Sequence, residues 1–121
     1  MKRLIIIPTM LLFIGCAQKA KPLYSWENYL YTSTEYGMNQ DKKEAFNKHK
    51  LELEKVIEKN KKVPPGIYAE YGQMLLESDK PEKAKEFFLL EKKIYPESSV
   101  FIDRLIAKVY GDKKWLDIAT L

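Results

Sequence analysis

The sequence predicts an all-α protein, a short array of helical hairpins that follows an N-terminal leader. Apolar residues recur at helical spacing in successive stretches after residue 40. Pro, Gly, Ser and Asp cluster between these stretches, where they favour turns. No stretch alternates between apolar and polar residues over a length that would predict a β-strand.

The N-terminus has the residue order of a secretory signal. Lys2 and Arg3 precede an apolar run, 4–13, which Pro8 interrupts. The run is too short to cross a bilayer, since a spanning helix takes about 20 apolar residues. The alternative is a buried core helix, and both the basic start and the proline argue against it. We therefore expect residues 1–15 to be a signal peptide.

The end of this leader resembles the lipobox of bacterial lipoproteins, in which an aliphatic residue, a small or aliphatic residue and Gly or Ala precede a cysteine. The matching residues are Phe13-Ile14-Gly15-Cys16, and Phe13 departs from the usual Leu. The resemblance implies diacylglycerol on the Cys16 thiol, cleavage after Gly15 and acylation of the freed amine. Several acyl chains on one residue would hold the protein firmly on a membrane. Residues 16–22 then form the lipid attachment and its tether.

The residues around the cleavage site also bear on location. Cys16 is the only cysteine, so an exported chain has no internal disulfide to form. Ala17 follows it. Enteric bacteria commonly retain lipoproteins at the inner membrane through Asp at that position, so Ala17 favours the outer membrane. We therefore expect the protein to lie in the cell envelope, where a lipid anchor holds it on the outer membrane.

The mature chain is mildly basic and has the size of one small domain, which we assign to residues 23–121. Lys and Arg number 21 and Asp and Glu 17, giving +4, and removal of Lys2 and Arg3 with the leader lowers this to +2. Because Lys and Glu are interleaved along the chain, we expect no nucleic-acid partner. A domain of this size has little room for a deep catalytic cleft.

The domain starts with an aromatic segment, 23–36, that lacks a long helical period. Two interpretations of this segment remain open. It caps one end of the domain by laying its rings on it, or it is a partner-binding edge, since Tyr and Trp dominate interface hot spots. The candidate contacts for the second interpretation are Trp26 and Tyr29. The aromatic residues of the segment are Tyr24, Trp26, Tyr29, Tyr31 and Tyr36.

Helices are predicted between the turn signals of the remaining chain. The first has Asp41 as its N-cap, and the second follows Pro64-Pro65-Gly66, with proline in its first turn. Pro81 opens the third, and Ser98 or Ser99 caps the last, which Gly111 ends. The expected spans are 41–60, 65–77, 81 to 94 or 95, and 98–110.

Residues 65–98 resemble one tetratricopeptide repeat, a unit of about 34 residues built from two antiparallel helices. Gly72 and Ala84 stand at its small positions, which let the helix backbones approach closely. Glu91 stands where the repeat usually has Ala, which puts close packing against the following helix in doubt. The other matching positions are Tyr68, Tyr71, Leu75, Phe88 and Pro96.

The repeat register also predicts which side chains of its first helix are left for a partner. They are Ala69, Gln73, Leu76 and Glu77, which would line a groove able to take a peptide or a helix. The alternative is that these four residues are ordinary surface. At least three stacked repeats are normally needed for a stable array, so the flanking helices are expected to complete the core.

A wider resemblance covers nearly all of the mature chain. Its residues are Tyr24-Ser25-Trp26-Glu27-Asn28-Tyr29, Val63-Pro64-Pro65-Gly66-Ile67-Tyr68-Ala69, Glu82-Lys83-Ala84 with Phe87-Phe88, Glu91-Lys92 and Tyr95-Pro96-Glu97-Ser98. Together they resemble the small lipoproteins grouped as domain of unknown function 4810. The resemblance implies export, lipid attachment and a helical repeat, without an assigned activity. Members tend to be encoded beside a lipoprotein similar to the curli secretion channel, which implies an envelope assembly with other lipoproteins.

The residue inventory argues against an enzyme. His49 is the only histidine, stands between two lysines and has no nucleophile with a positioned partner nearby, so it is expected to be an ordinary helix residue. The glutamates Glu52, Glu54 and Glu58 alternate with lysines, which predicts an exposed, salt-bridged face. No metal-ligand cluster or phosphate-binding loop is apparent, so no metal or cofactor is expected.

The sequence therefore predicts an outer-membrane lipoprotein that acts as a protein–protein interaction adaptor in an envelope assembly. The membrane is its partner through lipid on Cys16, and other envelope proteins are its partners through the helical domain. Two alternatives remain open. One is an activator of a cell-wall synthase, which rests on analogy of fold alone, and the other is a purely structural envelope lipoprotein.

Overall fold

A computed structural model describes residues 19–111, and α-helices are their main regular structure. The helices are α1 (Tyr29–Met38), α2 (Lys42–Lys59), α3 (Ile67–Glu77), α4 (Pro81–Ile94) and α5 (Ser99–Tyr110), and a 3-10 turn, Pro96–Ser98, precedes α5. No strand occurs between residues 19 and 111. The all-α prediction is confirmed for this range. The predicted signal peptide and Cys16 lie outside the described residues.

The turn residues set most of the helix boundaries as predicted. The Asp41 side chain accepts a hydrogen bond from the Glu44 amide at 3.1 Å, so it caps α2. Pro81 occupies the first turn of α4. Gly66 precedes α3 with φ of 89°, a conformation that favours glycine, so the two prolines lie before this helix and not in its first turn.

The predicted serine cap of α5 is wrong. Ser98 precedes the helix without a capping side-chain hydrogen bond. The Ser99 hydroxyl donates backwards to the Pro96 carbonyl at 2.6 Å. The 3-10 turn brings that carbonyl within reach of the hydroxyl, so the serine stabilises the turn and leaves the amides of α5 uncapped.

The aromatic segment contains a helix that its sequence did not predict. Helix α1 is rich in Tyr and Thr and includes Gly37, residue types with low helix propensity. It forms because it packs along α2. The pairs Asn28 with Glu52, Thr32 with His49 and Tyr36 with Phe46 show that the two helices run in opposite directions. Tertiary packing here outweighs a weak local preference.

The helices pack in chain order, each against the next. Their shared core is a cluster of buried apolar side chains. Burial of such side chains supplies most of the free energy that holds short helices together. The larger members of the cluster are Leu53, Ile67, Tyr71, Leu75, Phe88 and Ile102.

Helices α3 and α4 approach each other closely at Gly72. A Cβ atom placed on Gly72 would stand 2.6 Å from Cε1 of Phe88 and 3.1 Å from the Ala84 carbonyl oxygen. Only a residue without a side chain fits in this space. The predicted contact between Gly72 and Ala84 is confirmed.

Glu91, predicted to disturb packing, is accommodated inside the protein. Its side chain is 1 % exposed, and Oε1 accepts a hydrogen bond from the Gly66 amide at 2.7 Å. The carboxylate therefore holds the chain at the start of α3. Helix α4 still packs against α5, since Ile102 of α5 lies fully buried in the core cluster.

Candidate functional site

A buried histidine connects three helices. His49 of α2 is 1 % exposed, and its Nδ1 lies 2.9 Å from Oγ1 of Thr32 on α1. Its Nε2 lies 2.7 Å from Oε1 of Glu70 on α3. The other Glu70 oxygen accepts a hydrogen bond from the Tyr29 hydroxyl at 2.7 Å. His49, predicted to be an ordinary helix residue, is instead the centre of a buried network of Tyr29, Thr32, His49 and Glu70.

The network fixes the ionisation of Glu70 and Tyr29. Burial would by itself raise the pKa of Glu70, but hydrogen bonds from His49 and Tyr29 outweigh it and hold the pKa below its ordinary value. Burial, together with the hydrogen bond to the Glu70 carboxylate and its charge, raises the pKa of Tyr29 to about 12. Glu70 is therefore an anion at neutral pH, and Tyr29 is a neutral donor.

A second set of hydrogen bonds ties the segment before α1 to α2. Glu52 Oε1 accepts from the Asn28 amide at 2.7 Å, and its other oxygen accepts from Lys55 at 3.0 Å. The Asn60 side chain bonds both the amide and the carbonyl of Ser25, each at 2.8 Å. These contacts hold the start of the aromatic segment, at Ser25 and Asn28, against α2.

The prediction of an exposed glutamate face on α2 is wrong for two of its three residues. Glu52 is buried, and although burial would raise its pKa, the bonds from Asn28 and Lys55 lower it. Glu54 is half-buried and accepts a hydrogen bond from the Tyr71 hydroxyl at 2.7 Å. Glu58 alone is exposed. The bond between Lys55 and Glu52 is a salt bridge of the predicted kind. The donors Asn28, just before α1, and Tyr71 of α3 are not revealed by the spacing within α2.

The polar atoms of the network are paired with one another; His49 and Thr32 are buried, and Tyr29 and Glu70 are half-buried. His49 is enclosed by the rings of Tyr36, stacked on it at 6.0 Å, and Tyr29, at 5.4 Å. A substrate would have to displace these rings to reach the imidazole. The arrangement is suited to holding α1 against α2 and α3. The candidate functional sites are therefore the surfaces of the helices that the network positions.

The four groove residues predicted on α3 are not equally accessible. Gln73 and Glu77 are exposed, whereas Ala69 and Leu76 are half-buried and pack against the core cluster. Glu77 also accepts a hydrogen bond from the Tyr36 hydroxyl of α1 at 3.3 Å. Helix α1 therefore borders this strip of α3, and Gln73 offers the freest side chain.

The two aromatic candidates have different surroundings. Trp26 is 43 % exposed, and its ring lies between those of Tyr24, at 6.1 Å, and Tyr29, at 5.4 Å. Tyr29 is half-buried, with its hydroxyl committed to Glu70. The Trp26 ring is thus partly open to solvent and packs against the ring of Tyr29.

The structure reveals an apolar surface that sequence reasoning missed. Helical periodicity places Leu30, Tyr31, Thr34, Gly37 and Met38 on the side of α1 that points away from Thr32 and α2. We call these five residues the outer face of α1. Leu30 is 77 % and Met38 is 81 % exposed, and no member of the outer face carries a charge. The sequence did not predict α1, so it could not predict which residues share a face of this helix.

Comparison with known proteins places the chain in a family. Residues 23–105 match the family model described as Domain of unknown function (DUF4810). The chain belongs to this family. No curated protein and no solved structure gives a significant match.

The DUF4810 match begins in the aromatic segment and ends within α5. The buried network, the strip on α3 and the outer face of α1 all fall inside it. Within residues 19–111, no group of three or more His, Cys, Asp or Glu is arranged to hold a metal ion. None of the described helices has the length and apolar character needed to cross a membrane.

Proposed function

We propose that this DUF4810 protein is a lipid-anchored adaptor of the outer membrane, held by acyl chains on Cys16 and binding another envelope protein through its helical domain. The leader pattern supports export and lipid attachment. The observation that carries the adaptor function is the alignment of α1 with α3.

Two hydrogen bonds define this alignment. Tyr29 donates to Glu70 and Tyr36 donates to Glu77, so a step of seven residues along α1 matches a step of seven along α3. The two helices therefore run side by side in the same direction. Tetratricopeptide arrays align the first helices of successive hairpins in this way, and the aligned helices form their binding groove.

The helix order supports a tetratricopeptide-like array in this chain. On this interpretation α1 and α2 form the first hairpin, α3 and α4 form the second, and α5 starts a third. The Gly72 contact supplies the close approach of the second hairpin. In the first hairpin, the Thr32 and His49 pair stands where α1 meets α2.

The partner surface we propose is the strip of α3 that α1 borders, with Gln73 at its centre and Ala69, Leu76 and Glu77 around it. It combines half-buried apolar side chains with exposed polar ones. Such a mixture suits a partner that inserts an apolar side chain and forms specific hydrogen bonds around it. The partner's expected class is an envelope protein, because lipid on Cys16 would confine the domain to that compartment.

The test places a photo-crosslinking amino acid near Gln73 in intact cells, followed by mass spectrometry of the captured proteins. Gln73→Arg should abolish capture of one defined partner while the domain stays folded. Asn47→Arg is the matched control, because it changes an exposed amide on α2 in the same way. Equal capture by both variants refutes the α3 surface. Crosslinks to lipid and peptidoglycan alone refute the adaptor and favour a structural lipoprotein.

A further inference from the structure

Two exposed side chains precede the outer face of α1 in the chain. Leu23 is 83 % exposed, and the Trp26 ring is held half-exposed by its contacts with Tyr24 and Tyr29. We call Leu23, Trp26 and the outer face of α1 together the apolar band. The protein thus shows water several apolar and aromatic side chains between residues 23 and 38, although 31 % of its residues are charged.

Charged groups flank the apolar band but are turned away from the outer face. Glu35 points towards Lys48 of α2, 3.9 Å away, and Asp41 is occupied in capping α2. The Lys42 ammonium donates to the Tyr36 and Gly37 carbonyls at 3.3 Å, so it closes the end of α1. Glu27, which follows Trp26 in the chain, is exposed, and Lys59, Lys61 and Lys62 lie beside Leu23. No member of the outer face itself is charged, so its apolar side chains determine what it binds.

The distance from the proposed lipid attachment limits where the band can lie. Six residues, 17–22, separate Cys16 from Leu23, and the seven steps between the two Cα atoms span about 25 Å when the chain is fully extended. Acyl chains on Cys16 would therefore keep Leu23 and Trp26 close to the bilayer surface. Trp and Tyr are enriched where a membrane meets water, because their rings join an apolar body to a polar edge.

The size of the outer face argues against a second copy of the chain as its occupant. A helix of 10 residues is about 15 Å long and about 10 Å wide. Its face is far smaller than the ~800 Å² per partner that a stable protein interface buries. A bilayer surface sets no such minimum, because the lipid anchor already supplies the attachment.

The geometry points to the apolar band as a membrane-contacting surface that lies in the headgroup region of the bilayer beside the lipid anchor. This inference rests on the proposed lipid attachment at Cys16 and deepens it. The anchor restricts the distance between the domain and the bilayer, and the band fixes the orientation of the domain on the bilayer. Because α1 borders α3, the strip around Gln73 would then open close to the membrane surface, where another lipid-held protein can reach it.

The test uses the lipidated protein, purified from membranes and reconstituted in phosphatidylcholine vesicles whose acyl chains carry bromine, a quencher of tryptophan fluorescence. A Trp115→Phe background leaves Trp26 as the only tryptophan. We expect brominated lipid to quench Trp26, and the double change Leu30→Glu with Met38→Glu to abolish the quenching. Both side chains are exposed, so the helical circular dichroism should be unchanged.

The matched control is Val100→Glu with Phe101→Glu, which adds the same charges to exposed apolar positions of α5 and should leave the quenching unchanged. Unquenched Trp26 in the parent protein overturns the inference. So does quenching that survives the Leu30 and Met38 changes. A third result also overturns it: sedimentation shows a dimer, and Trp26 is shielded from bromine. That result assigns the outer face to a second copy of the chain.

A separate measurement distinguishes this inference from the proposed anchor. Mass spectrometry of the N-terminal peptide shows whether Cys16 carries acyl chains. If it carries none, the proposed anchor fails, and flotation of the unlipidated protein with the same vesicles then tests the band. Flotation that is lost in the Leu30 and Met38 variant and kept in the α5 variant supports the membrane-contacting surface. Absence of flotation in all variants refutes it.

Discussion

His49 and Glu70 form the contact on which the placement of α1 depends. The imidazole Nε2 lies 2.7 Å from the carboxylate Oε1, and this pair joins α2 to α3. Each partner also holds one residue of α1, His49 through Thr32 and Glu70 through Tyr29. Loss of either partner would therefore weaken the attachment of α1 to both neighbouring helices.

Glu70→Ala should destabilise the domain by about 2 kcal/mol, because it removes an acceptor and leaves the buried His49 without its partner. Urea unfolding followed by circular dichroism measures the change in the free energy of unfolding. Glu58→Ala is the control, since Glu58 is exposed on α2, and it should change stability by less than about 0.5 kcal/mol. Equal effects of the two substitutions would mean that the network contributes nothing to stability.

Acid should weaken the fold through Glu52 and Glu70. Both carboxyls have a pKa held below the ordinary value in the folded protein, because hydrogen-bond donors outweigh the opposing effect of burial. Their stabilisation is present above the unfolded-state pKa and is lost as the pH falls through the folded-state pKa. Urea unfolding at a series of acidic pH values should show this loss. The double change Glu52→Gln with Glu70→Gln should make the free energy of unfolding depend less on pH.

Alkali should weaken the fold through Tyr29. Its pKa is raised to about 12 by burial and by the Glu70 carboxylate, so folding favours the neutral phenol. This contribution is complete below the unfolded-state pKa of about 10 and is lost as the pH rises through 12. Burial also raises the pKa of Tyr71 and Tyr95, so ultraviolet absorbance titration should show several late-ionising tyrosines, and Tyr29→Phe should remove one of them. A titration curve unchanged by Tyr29→Phe would contradict the assignment.

The sequence predicted the elements whose causes are local. Asp41 and Pro81 bound helices because capping and the missing proline amide act within one turn. Helix α5 also ends before Gly111, although Gly111 has a φ of −60°, which any residue adopts. The contact between Gly72 and Ala84 was also predictable, because a repeat register assigns small residues to the closest approach of two helices. These features need no knowledge of the rest of the fold.

Helix α1 and the buried network were missed because their causes are distant in sequence. The Tyr and Thr residues of α1 do not favour a helix until α2 is present to pack against. A signal for the network did exist, since His49 and Glu52 share the apolar stripe of α2 with Leu53 and Val56. Polar side chains on such a stripe are paired when buried. Their partners on α1 and α3 could not be read from α2 alone.

Two glycine substitutions should have opposite effects. Gly72→Ala would push a methyl group to 2.6 Å from the Phe88 ring, and overpacking of this kind costs about 1–3 kcal/mol. Gly37→Ala meets nothing within 4 Å, and the gain in helix propensity should stabilise α1 by up to about 1 kcal/mol. Thermal unfolding of both variants measures the difference. A stabilised Gly72→Ala protein would show that α3 and α4 can separate without cost.

Glu91→Ala should destabilise the protein even though it installs the residue that a tetratricopeptide repeat usually carries. The carboxylate accepts a hydrogen bond from the Gly66 amide at 2.7 Å, so its removal leaves that backbone donor unpaired and leaves a cavity where a 1 % exposed side chain stood. The expected cost is about 2–3 kcal/mol in the free energy of unfolding. Glu86→Ala, exposed on the same helix, is the control and should be nearly neutral. A Glu91→Ala protein with a higher free energy of unfolding would contradict this prediction. It would mean that the buried carboxylate destabilises the fold and that its bond to Gly66 does not determine where α3 starts.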